Sequence, residues 1–217
     1  MNARLGSLTV SLLLWSALTP VGASASPGDG ASVESASEVP RDAEEFLAYW
    51  RDGGMPLWFG KDPQRDRRLR ELYLPLYERA ARGELAPWAG SPDGALALVV
   101  LLDQFPRNAF RDTPRMYATD ELARHVAREA VEHGFHRQVP IELQKFFVLP
   151  FAHSESLADQ ERAVALAAEM GPVDRERTEH HRDIVRRFGR FPHRNAILGR
   201  PSTAEEARYL AEGGYRG

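Results

Sequence analysis

The stretch ALALVVLL, Ala95 to Leu102, constrains the fold more than any other part of this 217-residue chain. Ser91-Pro92 just ahead of it is a helix start, with Ser as the cap and Pro in the first turn. The run that follows is apolar on every side rather than along one stripe, so it has no face to give to water. It predicts a central, fully buried helix, with Leu98, Val99, Leu101 and Leu102 among the most buried side chains. Pro106 is expected to end that helix, because proline brings no N–H and its ring clashes with the preceding turn. The polar connection Asp103 to Arg115 follows directly.

The elements that wrap this helix are legible from 3.6-residue spacing. Phe46, Leu47 and Trp50 share a face of a first helix that begins near Arg41 and stops at Gly53-Gly54. Asp62-Pro63 opens a second, with Leu69, Leu72, Tyr73, Leu76, Tyr77 and Ala80 at helical spacing and Gly83 as the stop. Pro75 inside it predicts a kink or a split. Thr119 reads as the cap of a helix carrying Leu122, Val126 and Ala130, closed by Gly134. Another begins over Ile141 to Phe147 and is expected to break at Pro150. Ser156 and Asp159 have capping-box spacing for a helix through Met170, and a charged helix is expected over Arg175 to Arg187. Thr203 and Glu206 make a second capping box for the last helix. There is no strand-like alternation, no hairpin dipeptide, no Rossmann or P-loop glycine pattern, and no clean repeat near 34 residues. The expected fold is all-α: one domain of about eight helices in antiparallel pairs, covering most of residues 41–212.

The chain begins with a short n-region bearing Arg4, an apolar run from Leu8 to Leu18, and Ala23-Ser24-Ala25, an A-x-A cleavage site. This is the secretory signal pattern, and the run is short for a membrane span. Residues 1–25 are therefore expected to be a cleaved signal, with an uncleaved inner-membrane anchor as the alternative. Residues 26–40, rich in Ser, Ala, Gly and Pro, read as a flexible linker to a domain over residues 41–217. The expected location is periplasmic or secreted, with no membrane contact after cleavage. The chain has 28 basic and 31 acidic residues, and loss of Arg4 with the signal takes the net charge from −3 to −4. That balance gives no reason to expect nucleic-acid binding. With no cysteine, disulfides, thiolate catalysis and cysteine-ligated zinc are excluded.

Arg187 to Arg200, RFGRFPHRNAILGR, is at once basic and apolar. It carries Arg187, Arg190, Arg194, Arg200 and His193 with no acid, beside Phe188, Phe191, Ile197 and Leu198. Such a segment is expected to be irregular, pinned inward by its aromatics, with guanidinium groups aimed at carboxylates or at an anionic ligand. Two other connections mix helix breakers with polar groups: Asp103 to Arg115 and Pro150 to Glu155. Each follows an apolar helical stretch, so all three can converge at one end of the bundle. The candidate ligand-binding residues are Asp103, Arg107, His153, Glu155, Arg190, His193 and Arg194. Arginine suits bidentate recognition of carboxylate or phosphate. His153 or His193 could serve as general acid or base, with Glu155 or Asp103 orienting it. Metal binding is disfavoured: His153-Ser154-Glu155 lacks HExxH spacing, and His180 and His181, being adjacent, point to different helix faces. No cofactor is implied.

At these same residues the chain becomes familiar. LLDQFPRNAFR, LPFAHSESLADQ and HRDIVRRFGRFPHRNAILGR, followed by STAEE, together with Trp58-Phe59-Gly60, resemble the bacterial "domain of unknown function 924" family from about residue 43 to the C-terminus. The resemblance implies an all-helical, tetratricopeptide-like fold and supplies no reaction, substrate or cofactor. The export signal departs from the usual family pattern, so cytoplasmic roles do not carry over. Three functional readings stay open. One is an exported helical binding protein whose Arg/His-lined site takes an anionic small molecule or acidic peptide. The second is a hydrolase or transferase using His153 or His193 with Glu155 or Asp103. The third is a structural scaffold with internally paired arginines. A ligand site requires at least one arginine without full carboxylate pairing, facing a cavity.

Overall fold

The computed structural model describes residues 39–217. The expected signal, and all but the end of the expected linker, lie outside the described residues. The helices are α1 (Arg41–Trp58), α2 (Pro63–Ala81), α3 (Pro92–Val99), α4 (Phe105–Ala109), α5 (Asp120–Glu132), α6 (Ile141–Ala152), α7 (Leu157–Ala167), α8 (Pro172–Phe188) and α9 (Ala204–Ala211). A π-helical turn, Val100–Gln104, joins α3 to α4 without a break. With that rod counted once, the described residues hold eight helices and no strand.

The apolar run sits where its composition requires. Every residue from Gly94 to Gln104 is buried, and α1, α5 and α6 pack around α3. Trp50, Phe46 and Phe146 close over it from α1 and α6 as fully buried side chains. Neighbours in sequence are neighbours in space on the far side: α5 packs on α6, α6 on α7, and α7 on α8. A smaller apolar cluster of Ile184, Val185 and Phe191, with Phe188, Tyr209 and Tyr215 against it, anchors the segment after α8.

Several stops and caps are as expected. Asp62 caps α2, accepting from the N–H groups of Gln64 and Arg65, and Ser91 caps α3 through Gly94. Thr203 and Glu206 form a reciprocal capping box on α9. α1 is interrupted at Gly54, whose φ of 49° lies in the left-handed region.

Elsewhere the chain departs from expectation, for physical reasons. Pro106 does not end the central helix. The π turn places the Phe105 N–H on the carbonyl of Val100, five residues back, and the helix continues to Ala109. Proline's missing N–H frees the Leu102 carbonyl instead, and the Thr119 hydroxyl donates to it. Thr119 therefore makes no side-chain cap on α5. Pro75 and Pro150 are likewise contained within α2 and α6. At the end of α6 the buried Gln160 side chain donates to the carbonyls of Ala152 at 2.8 Å and Ser154 at 2.6 Å. Ser156 makes no side-chain cap either; Ser154 Oγ accepts from its N–H and donates to Asp159 at 2.6 Å.

Candidate functional site

The π turn delivers Asp103 into the protein interior, fully buried. Single π turns inside α-helices recur at functional sites. Asp103 Oδ1 accepts from His153 Nδ1 at 2.8 Å and lies 3.2 Å from Arg107 Nη1. Oδ2 accepts from the Gln104 side-chain amide. Burial pushes the Asp103 carboxyl up, but Arg107, His153 and Gln104 outweigh it and hold it well below the usual carboxylate range. An ionised Asp103 fixes the imidazole tautomer: Nδ1 carries the proton, and Nε2 is left as the basic nitrogen. Burial, with Arg107 nearby, lowers the His153 pKa despite Asp103, so the ring is neutral at pH 7.

Arg107 is saturated. Its two terminal nitrogens reach Asp120 at 2.7 and 3.0 Å, and Nη1 also donates to the Asp103 carbonyl at 2.7 Å. Burial works against the cation, yet the two aspartates raise its pKa above the ordinary value. Arg107 is thus a structural counter-ion shared by buried Asp103 and partly buried Asp120.

Arg194 is the opposite case. It leaves the short 3-10 turn Pro192–Arg194, which Phe191 anchors in the smaller apolar cluster. Its guanidinium lies between two rings, 4.6 Å from the centroids of both Tyr117 and Phe191. Only 8% of its side chain is exposed; Asp120, the one carboxylate within ion-pair distance among the described residues, is 3.7 Å away and already bound by Arg107, and Glu155 acts on it only from farther off. The guanidinium makes no hydrogen bond among the described residues, and Nε is fully sequestered. Burial and then Arg107 lower its pKa.

Arg194 and Arg107 face a cavity of about 260 Å³, together with His153, His181, His193 and Tyr117. His181 and His193 are held neutral chiefly by burial, lowered to about 3 and about 4, and the Nδ1 of each is buried without a hydrogen-bond partner. Arg111 also lines the space but is spent: it binds Asp66 at 2.6 Å, the Gly60 carbonyl at 2.8 Å and Asn108 at 2.8 Å. Asn108 in turn donates to the Leu57 carbonyl at 2.9 Å. These bonds clamp Trp58-Phe59-Gly60 beside the cavity. Gly60 is required there, since a Cβ would stand 2.3 Å from the Pro56 carbonyl oxygen.

Of the seven candidate residues, five gather at this cavity: Arg107, His153, His193 and Arg194 line it, and Asp103 stands behind His153. Arg190 and Glu155 do not line it. Arg190 binds Glu206 at 2.6 and 2.9 Å and the Pro201 carbonyl at 2.9 Å. Glu155 accepts from Arg200 at 2.6 and 2.9 Å and from the Phe191 N–H at 2.8 Å. Both staple the basic segment in place. Sequence reasoning missed Asp120, which looks like an ordinary acidic first-turn residue, and Tyr117, His181 and Tyr215, which carry no local motif. Among the described residues no group of three or more His, Asp or Glu side chains is placed to hold a metal ion.

Fold and site together define an all-helical protein with an arginine- and histidine-lined cavity at the end of its buried helix. The chain belongs to the family described as "Bacterial protein of unknown function (DUF924)", which matches residues 46–214. The solved "Structure of Protein of Unknown Function ATU0120 from Agrobacterium tumefaciens" is similar to it, at 47% identity and a TM-score of 0.77 over 79% of this chain and 97% of that chain. No curated protein matches.

Proposed function

We propose that this chain is an exported binding protein for an anionic small molecule, which it holds through Arg194. The observation that carries the reading is a buried guanidinium, oriented by two rings, whose donors meet no acceptor. Burying a cation costs several kcal/mol unless it is paired and hydrogen-bonded. A bidentate carboxylate or phosphate would supply both. The cavity's size favours a small molecule over a peptide. Arg187, Arg190 and Arg200 are each satisfied by a glutamate, so the scaffold reading covers them and leaves Arg194 unexplained. The stacking of successive helices from α5 to α8 suits a tetratricopeptide-like arrangement.

Calorimetric titration with phosphate, citrate and small mono- and dicarboxylates tests this. Wild type is expected to bind at least one, and Arg194→Gln to bind it at least tenfold more weakly. Equal affinity in both proteins, or no binding by wild type, refutes the reading. For export, the mature protein from its native host is expected to begin at Ser26, and a cytoplasmic chain still starting at Met1 refutes that part.

One observation favours a hydrolase or transferase built on the same anion site: the 2.8 Å bond from His153 to buried Asp103. On that reading His153 is the general base and Asp103, rather than Glu155, the orienting carboxylate. Turnover of carboxylate or phosphate esters that is abolished in His153→Gln, with anion binding retained, distinguishes it from binding alone.

A further inference from the structure

The cationic cavity shares a wall with a larger one. Phe59, Leu149, His153, His181 and Tyr215 line both the 260 Å³ space and a neighbouring groove of about 680 Å³. The groove's chemistry is the reverse of the first. Met55, Val148, Leu149, Ala152 and Val173 make its apolar walls, and Lys145, Asp174, Glu176 and Arg177 around them bring two positive and two negative groups. It also gathers exposed apolar surface. Met55 (51% exposed), Phe59 (43%) and Val173 (60%) are three of only seven large apolar side chains left exposed among the described residues. Scattered singly, such residues need no explanation; together in one concavity they mark a binding site.

A charge-seeking pocket and an apolar groove with a common wall are the two halves of a site for one kind of molecule. Resting on the anion-binding reading above, we infer that the ligand is an amphiphilic carboxylate, a fatty acid or a similar acyl-chain acid. Its head is held by Arg194 and its chain lies along Leu149 and Val148 toward Met55 and Val173. The planar guanidinium, fixed between Tyr117 and Phe191, presents paired donors to a carboxylate. The neutral imidazoles of His153 and His181 form the boundary: polar enough for the head, uncharged beside the chain. A groove of this volume falls within the usual range for small-molecule sites.

The test is calorimetry on the full chain with acetate, octanoate, dodecanoate and dodecyltrimethylammonium, all below their micellar concentrations. Burial of the chain predicts roughly two- to fourfold tighter binding per added methylene, so dodecanoate should bind at least tenfold tighter than octanoate. The alkylammonium should bind at least tenfold more weakly than dodecanoate. Met55→Glu and Val173→Glu lie at exposed positions and spare the fold. Each should weaken dodecanoate at least tenfold while leaving any acetate-induced rise in melting temperature unchanged. Affinity independent of chain length, with binding still lost in Arg194→Gln, overturns the amphiphile and leaves the anion site standing. Dodecanoate affinity undiminished in Arg194→Gln overturns the head-group assignment.

Discussion

Arg194→Met isolates the charge of the central residue while keeping an apolar stem of similar reach between Tyr117 and Phe191. In favour of the cation stands Asp120 at 3.7 Å, worth about 4–5 kcal/mol at an effective dielectric of about 20. The two ring contacts add about 0.5–2 kcal/mol each. Against it stand a desolvation cost of several kcal/mol, repulsion from Arg107, and donors without acceptors. Asp120 is moreover shared with Arg107, which binds it twice. The lowered pKa of Arg194 says which side prevails: the folded protein is a worse place for this cation than water. Arg194→Met is therefore expected to unfold within about 1 kcal/mol of wild type, or above it, as residues reserved for function often trade against stability. Arg107→Met is the contrast, because it removes the cation that Asp103 and Asp120 share. The loss there should be roughly 3–5 kcal/mol, a midpoint fall of about 1.5–2.5 M urea at a slope near 2 kcal/mol per M. Equilibrium urea unfolding followed by far-UV circular dichroism measures both. A loss above about 3 kcal/mol in Arg194→Met would make Arg194 a staple like Arg107 and refute the argument.

Leu101→Ala, at a fully buried position, should cost roughly 2–5 kcal/mol in the same assay; a loss below about 0.5 would show that the central helix is peripheral. Gly60→Ala drives a Cβ into the Pro56 carbonyl and should cost about 1–3 kcal/mol, with weakened anion binding as the Trp58-Phe59 segment shifts. His181 and His193 are buried neutral, with folded values of about 3 and about 4 against 6.5 for a free imidazole. Depressed histidines stabilise fully above the unfolded pKa, and that contribution is lost as pH falls below 6.5 toward the folded values. Urea unfolding at pH 7.5 and pH 5 should differ by about 1–2 kcal/mol per histidine, and His181→Gln should flatten the slope; a stability independent of pH in that window would sink the assignment.

The buried helix was legible because apolarity on all sides admits one environment. Capping by Asp62, Ser91 and Thr203 was legible because those side chains act within three residues of themselves. Thr119 and Ser156 were misread for the converse reason. Their spacing fits a cap, but Thr119 finds a stronger claim in a carbonyl that Pro106 leaves open 17 residues earlier in the chain. The three connections did supply the site, since helix breakers beside polar groups mark the ends of a bundle. Which arginine remains open could not be read from the sequence. Arg190 and Arg194 are both basic residues of one segment, and only the position of Glu206 and the rings of Tyr117 and Phe191 separate a staple from a donor.

The π turn at Val100–Gln104 has a consequence for how sequence change would act on this protein. A turn closed by five residues instead of four is equivalent to one residue inserted into an α-helix. The wide turn absorbs that residue, so deleting one there would restore a regular helix and leave the segments on either side in phase. The apolar run upstream and Phe105–Ala109 downstream would keep their partners, while the wide turn that carries Asp103 to His153 would be gone. That one extra residue, rather than any one side chain, joins the core to the cavity, so the loss of one codon would separate a chain that folds from a chain that works.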